Sequence, residues 1–286
     1  MNLREVRDRI ASVKSTQKIT SAMKLVSSAK LRRAQSAIEG MLPYSDRLNA
    51  LLASFLQGAK GVVTPYATVR QCKKVVLVAV SSNTGLCGTF NANMANALRD
   101  AVRSHEADGA QVEIYTVGKK IFDAAKKLGY TPNEELMAQA TTPNYDDVAK
   151  VVRSLMERFA AGDVDRVEML HPHFRSAAKQ EPVCDVLMPV DLTVSGETAS
   201  VIDYIVEPSR EELLSALVPK VIEVKLFTAL LDSVAAEHAA RVLAMQVATD
   251  NATDLISELT LEYNKGRQQA ITNELLDIVS GSEANR

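Results

Sequence analysis

The 286-residue chain contains no tryptophan, and its aromatic content is only 5%. That scarcity excludes the stacking platforms on which single-stranded nucleic acid is held. Only three cysteines occur, Cys72, Cys87 and Cys184, too few and too scattered for a disulfide framework. They fit a reducing compartment. No strong charge of one sign is present: the net charge of −2 gives the chain no general attraction for polyanions. The longest purely aliphatic run, Val75–Val80, is far too short to span a bilayer. The opening residues Arg4, Glu5, Arg7, Asp8 and Arg9 leave no room for an apolar signal core, so export is not expected. What remains is a composition ordinary for a folded protein, with 47% hydrophobic and 24% charged residues.

Helix breakers divide the chain. All nine prolines lie between Pro43 and Pro219. Gly40 is the one glycine before Gly58, and only Gly266 and Gly281 follow Pro219. The expected organisation is an N-terminal helix (1–57), a central mixed domain (58–208) and a long C-terminal helix (209–286). In the first segment, Leu3, Val6, Ile10 and Val13 alternate at three and four residues. After a polar interval the stripe is expected to resume as Ile19, Ala22, Val26 and Ala29. Pro43 should end or kink this helix, with Ser45–Gln57 as its continuation.

The C-terminal segment carries the longer pattern. From Arg241 the positions Met245, Ala248, Ala252, Leu255, Leu259, Glu262, Gly266, Gln269, Asn273 and Leu276 step strictly by four and three. They are mostly apolar to Leu259 and polar from Glu262 to Asn273. Roughly 60 helical residues span about 90 Å, whereas a compact globule of this length is about 50 Å across. Such a helix is expected to project from its own domain. Charge sorts with it: residues 1–57 hold ten Lys/Arg against four Asp/Glu, and residues 209–286 hold seven against twelve. A basic helix beside an acidic one predicts an antiparallel pair, although two independently solvated helical faces account for the same charges.

Between the helices, strand and helix patterns alternate. Lys74–Val80 reads as a buried strand, Asn91–Ser104 as a helix, Val112–Val117 as a strand and Lys119–Leu128 as a helix. Tyr145–Ala160 then reads as a helix, and Arg166–Leu170, Val183–Val190 and Ala199–Val206 as strands. The fold class expected is α/β: a central Rossmann-like domain on a mostly parallel sheet, carried by an antiparallel coiled coil of the two terminal helices.

Candidate chemistry is sparse. Ser81–Asn91 (SSNTGLCGTFN) joins a strand to a helix, where anions are often held. It lacks both G-x-G-x-x-G and G-x-x-x-x-G-K-[ST], and a tight turn needing Gly85 and Gly88 explains it equally well. Cys87 sits at that helix start, but without a nearby His or second Cys it reads as a packing residue. His171 and His173 flank Pro172 and could share one face toward a metal, but no clear third ligand accompanies them. Lys24, Lys30, Arg32 and Arg33 form a basic cluster, suited either to solvent or to an acidic partner surface.

Several stretches carry a specific resemblance. IASVKSTQKITSAMKLVSSAKLRRAQ (Ile10–Gln35) resembles the N-terminal helix of the γ subunit family of F-type ATP synthases. EHAARVLAMQVATDNATDLISELTLEYNKGRQQAITNELLDIVSG (Glu237–Gly281) resembles that family's C-terminal helix. Its closing ITNELLDIVSGSEA (Ile271–Ala284) is similar to the family signature, with Ser282 where Ala is usual. GLCG (Gly85–Gly88) is also shared, preceded here by Asn83-Thr84 in place of Asp-Arg.

The resemblance implies a rotor without catalytic residues, cofactor or metal. Its coiled coil is expected to turn inside a ring of α and β subunits. The central domain would stand beside the ε subunit on the membrane c-ring. Carried over by position, Met23, Lys24, Lys30, Arg33, Arg241, Gln268, Gln269, Thr272 and Glu274 are expected to face the α/β ring. Tyr204 and Glu207, in YIVEP, are expected at the foot on the c-ring. Neither nucleic acid nor inserted lipid is expected as a partner. The implied location is peripheral, on the cytoplasmic face of a bacterial plasma membrane. Two other classes compete. A Rossmann-like enzyme with helical oligomerisation arms would need a phosphate loop and a polar pair in a cleft, and neither is found. A coiled-coil tether or basic adaptor leaves the resemblance at both ends unexplained.

Overall fold

The computed structural model describes residues 3–58, 64–190 and 209–283. The expected strand Ala199–Val206 lies outside them. The chain gathers into two compact units, Met1–Ser27 with Val242–Arg286, and Ser28–Arg241. Helices α1 (Leu3–Gly58) and α5 (Arg210–Glu283) contribute to both.

The larger unit is built on β1 (Lys74–Val80), whose KVVLVAV run is buried from Val75 onward. A strand with no polar face must be covered on both sides, and period-two alternation divides its side chains between them. Val76, Val78 and Val80 enter one core and Val75, Leu77 and Ala79 the other. On the second side lie α2 (Phe90–Ala107), through Met94, Leu98 and Val102, and α3 (Lys119–Lys127), through Ile121 and Ala125. The first side receives Val148, Val152, Leu155 and Phe159 of α4 (Tyr145–Ala161). It also receives Leu48, Leu52 and Phe55 of α1 and Leu214, Val218, Ile222 and Leu226 of α5.

The sheet order is β2-β1-β3-β4, with β2 spanning Gln111–Val117, β3 Arg166–Ser176 and β4 Lys179–Met188. β1 pairs in parallel with β2 and β3, as the alternating pattern predicts. β3 runs further than expected, to Ser176, because it turns directly into antiparallel β4. The strand expected at Val183–Val190 is therefore the second arm of a hairpin beginning at Lys179.

Pro43 does not end α1, and Pro219 lies within α5. A proline inside a helix costs about 3 kcal/mol. Leu48, Leu52 and Phe55 beyond Pro43 are each at least 92% buried, and each such side chain contributes about 1.5–3 kcal/mol. Burial of the downstream face outweighs the break.

The smaller unit is an antiparallel pair of helix segments. Thr20 and Thr249 meet hydroxyl to hydroxyl at 2.8 Å. Gln17 Nε2 donates to Thr253 Oγ1 at 2.7 Å, and Lys24 Nζ donates to Gln246 Oε1 at 2.5 Å. The α1 number falls as the α5 number rises, which is the signature of opposite direction. Val6, Thr20 and Ser27 are buried from one side, and Met245, Ala252 and Leu259 from the other. The α1 seam thus keeps one unbroken three–four alternation: 3, 6, 10, 13, 17, 20, 24 and 27. The resumed stripe expected at Ile19, Ala22, Val26 and Ala29 is wrong. All four are exposed, Ile19 and Val26 at 57%. Phase with the earlier turns decides which face is covered, and the seam accepts polar residues to preserve it.

Gly118, between β2 and α3, has φ +99°, and a β-carbon there would lie 2.3 Å from the backbone oxygen of Ser81. Backbone cannot yield as a flexible side chain does. Gly118→Ala should therefore destabilise the α/β unit by about 3 kcal/mol or more, read as a lowered urea midpoint. A midpoint within experimental error of the parent would refute the strained turn.

Candidate partner-binding surfaces of the helical shaft

In the coil unit, the expected contact residues of α5 stand at the surface. Every side chain described from Arg267 to Ile278 is exposed, including Gln268, Gln269, Thr272 and Glu274. Apolar groups share this surface, with Ile271 at 50% exposure and Ile278 at 64%. Two of the polar groups already bond along their own helix: Gln269 Nε2 donates to Asn273 Oδ1 at 3.1 Å and Thr272 Oγ1 to the Gln268 carbonyl at 2.9 Å. A side chain so satisfied has no unmet hydrogen bond forcing a fixed contact with a partner. Met23 is half-buried, and Lys24 is half-buried with its ammonium on Gln246.

In the larger unit, Lys30 and Arg33 are exposed on α1. Arg241 is not: it is 9% exposed, and its two terminal nitrogens make three hydrogen bonds within the fold. It donates to the Gly85 carbonyl, to Thr84 Oγ1 at 3.0 Å and to Glu237 one turn earlier. The expectation that Arg241 faces a partner is therefore corrected. It clasps the GLCG loop onto α5, a role signalled in sequence only by the four-residue spacing from Glu237. Burial lifts the Glu237 carboxyl above its ordinary range even though Arg241 draws it back. Beside it, burial drives the His238 imidazole down to about 4, and the positive charges of Lys30 and Arg241 push the same way.

The Ser81–Asn91 loop is closed by its own groups. Ser82 Oγ donates to the Thr84 carbonyl at 2.6 Å, and Asn91 Nδ2 donates to the same carbonyl at 3.2 Å. Asn83 Oδ1 accepts from the Lys119 backbone N–H at 3.0 Å, and Asn83 Nδ2 donates to Thr141 Oγ1. Leu86 and Gly88 take positive φ, at 63° and 61°. Gly85 does not, and a β-carbon there would meet nothing within 4 Å, so the turn requires only one of its two glycines. Cys87 is buried against Phe90, Ala236 and Ala240. His171 and His173 are each taken by a carboxylate, Asp185 at 3.1 Å and Asp232 at 2.7 Å. Among the described residues no group of three or more His, Cys, Asp or Glu could hold a metal ion. Tyr204 and Glu207 lie outside the described residues.

An α/β unit that packs segments of α1 and α5 on one side of its sheet, together with an antiparallel pair made by other segments of the same helices, is the make-up of a stalk-type subunit. The comparisons agree. The family model described as ATP synthase matches residues 2–284. The ATP synthase gamma chain of Bacteroides thetaiotaomicron is 50% identical over 296 residues, covering 98% of this chain and 99% of that one. Its counterpart from Flavobacterium psychrophilum is 44% identical over 287 residues, covering 99% and 98%. Among solved structures, the rotor of the Euglena gracilis mitochondrial ATP synthase aligns with a TM-score of 0.62 at 19% identity, over 94% of this chain and 98% of that chain. The central stalk and c-ring structure of Tetrahymena thermophila mitochondrial ATP synthase gives 0.55 at 22% identity, over 80% and 99%. These two likenesses concern the fold. The chain belongs to the ATP synthase gamma chain family, the central-stalk subunits of F-type ATP synthases. It is not itself catalytic, since in these complexes the catalytic sites are on the β subunits.

Two outcomes follow from the Arg241 cluster. Arg241→Met strands Glu237 and also leaves the Gly85 carbonyl without its donor, and should cost about 3–5 kcal/mol; adding Glu237→Gln should restore only the share owed to the unpaired carboxylate, because the bonds to the loop stay lost. A double variant as unstable as the single would show that the Glu237 pair adds nothing to the loop bonds.

His238 folds as the neutral imidazole. Its contribution is complete above about pH 6.5 and is lost as pH falls toward 4, because the unfolded chain takes the proton first. Glu237 titrates in the opposite sense and is common to parent and variant. In His238→Gln the loss of stability between pH 7 and pH 5 should be smaller by about 2 kcal/mol. Parallel stability–pH curves for the two proteins would contradict the burial-driven shift.

Proposed function

We propose that this chain is the rotor shaft that couples ion flow through a membrane c-ring to the conformational cycle of catalytic β subunits. The observation that carries the reading is the surface of α5 from Arg267 to Ile278, exposed on all sides. It offers exposed polar and apolar side chains together, several of them already bonded within the helix. Contacts of about 1 kcal/mol each suit a surface that must let go at every step. A deeply socketed apolar anchor would hold one angle. Gln268, Gln269, Thr272 and Glu274 are assigned to the bearing against the α/β ring. Met23 with Lys24, and separately the exposed Lys30 and Arg33, are assigned to the acidic lever segments of the β subunits. Exposed ion pairs there are worth about 0–1 kcal/mol and are screened by salt, so they form and release readily.

The α/β unit is assigned to the ε subunit and the c-ring, with Tyr204 and Glu207 at the foot. Cysteines placed at those two positions should cross-link to c-ring loops on oxidation. The complex is held peripherally on the cytoplasmic face of a bacterial plasma membrane. No described helix is long and apolar enough to cross a membrane, so retention would depend on partners.

The test is direct. The chain is assembled with α and β subunits, the ring is fixed to a surface, and a bead is attached to the α/β unit. ATP should drive stepwise rotation, and hydrolysis with a stationary bead would overturn the reading. In the same assembly, combined Gln269→Ala and Thr272→Ala should slow turnover about two- to tenfold while the thermal midpoint of the chain stays unchanged. Parental turnover in the double variant would remove these side chains from the bearing.

A further inference from the structure

Polar groups converge on one buried carboxylate of α5. Glu223 is 2% exposed, and its neighbours Ile222 and Val224 are buried as well. Two donors reach it from α4. Arg153 Nε donates to Oε1 at 2.6 Å, and the Tyr145 hydroxyl donates to Oε2 at 2.5 Å. These donors stand at positions 145 and 153, about 12 Å apart along the helix axis. The Tyr145 ring is in turn gripped by a single face of α5. Lys220 Nζ donates to its hydroxyl at 2.6 Å and lies 4.4 Å from the ring centroid, and Phe227 meets the ring edge-on at 5.4 Å. Positions 220, 223 and 227 succeed one another by three and four along that face.

Stability alone does not ask for this arrangement. A buried ion pair replaced by apolar side chains commonly leaves a protein as stable as before, or more so. The setting here is apolar: Val221, Ile222, Val224 and Leu226 belong to the core that α5 shares with α4 and β1. What apolar packing lacks is direction, so it tolerates small sliding and turning. Two bonds drawn to one carboxylate from separated points behave differently. Motion of α5 along α4 lengthens one bond, and rotation of α5 about its own axis swings both oxygens out of line. The place on the helix matters too. Pro219 has no N–H to give to the carbonyl of Ser215, so α5 lacks a rung one turn ahead of Glu223. Helices bend most readily at such a break. Lys220 and Glu223 brace the turn that follows it.

We infer that Glu223 is the register key of the shaft: a positioning residue that fixes the angle and axial position of α5 on the α/β unit more tightly than the apolar core does. Its consequence for the motor rests on the rotor reading. Torque passing between the α/β unit and α5 then crosses a stiff joint in place of a compliant one.

Glu223→Met removes both bonds and strands no charge. The Arg153 side chain is 61% exposed and that of Lys220 40%, and the Tyr145 hydroxyl keeps its bond from Lys220. Glu223→Gln keeps an acceptor for Arg153 and a partner for Tyr145. Spin labels at Ser154→Cys on α4 and Ala216→Cys on α5, both exposed sites, report the joint in the full-length chain, with Cys72→Ser and Cys184→Ser in every version. The distance distribution should be about twofold wider in Glu223→Met than in the parent and close to the parent in Glu223→Gln. The urea midpoint of Glu223→Met should be no lower than the parent's. A distribution as narrow as the parent's in Glu223→Met overturns the inference. So does a widening that comes with a lowered midpoint, since any structural residue gives that. In the bead assembly, Glu223→Met should raise the variance of the dwell angle about twofold. A bead that never turns in the parent sinks the rotor reading and leaves the label result to decide the key. A turning bead with parental variance in Glu223→Met refutes the key as the stiff joint.

Discussion

Two helices pair only while their covered faces stay in phase, and in this chain that constraint overrides side-chain preference. From Leu3 to Ser27 the seam of α1 advances by threes and fours without a slip. It takes in Gln17, Thr20, Lys24 and Ser27, although Ile19 and Val26 stand one position away. Moving the seam onto those apolar residues would gain a few side chains of burial, about 1.5–3 kcal/mol each. It would also throw Val6 and its neighbours out of phase. The polar members are accommodated because they bond across the seam, threonine to threonine and glutamine to threonine. They are accommodated as well because small partners such as Ala252 leave room for them.

Torque delivered to such a shaft has to enter through fixed points, and the α/β unit provides two kinds. One is apolar, the shared core of α1, α4 and α5 against β1. The other is ionic. Glu223, 2% exposed, receives Arg153 at 2.6 Å and the Tyr145 hydroxyl at 2.5 Å, with Lys220 stacked over the Tyr145 ring. Arg241 fastens the loop after β1 to α5 near the far end of the same unit. Apolar packing resists separation but tolerates small sliding, whereas directional bonds to buried groups fix angle and register. The combination suits an element that must turn as one piece.

Local pattern made much of this legible. The valine-rich run of β1 announces a strand covered on both faces, and the alternation of elements after it announces parallel pairing. Both appear as expected within the range Lys74–Val117 and at Arg166. The hairpin is only partly legible because His171-Pro172-His173 looks like a strand end, yet the ladder carries Pro172 opposite Pro182. Arg241 misled for a different reason. Its partner-facing role was implied by position in the resembled family, whereas the loop that buries it lies 156 residues earlier in sequence, beyond the reach of any local pattern.

The antiparallel coil also sets a timetable. Gln17 waits for Thr253, 236 residues later, before its seam can close. At ribosomal rates of about 5–20 residues per second, that gap lasts roughly 12–50 s. Through that interval the N-terminal segment is a nascent helix whose mate does not yet exist. A continuous leucine stripe would expose a sticky edge to every neighbouring chain for the whole of it. A stripe interrupted by Gln17, Thr20, Lys24 and Ser27 offers solvent something to hydrate. The polar residues that make a modest seam in the finished shaft thus make a tolerable surface in the unfinished one.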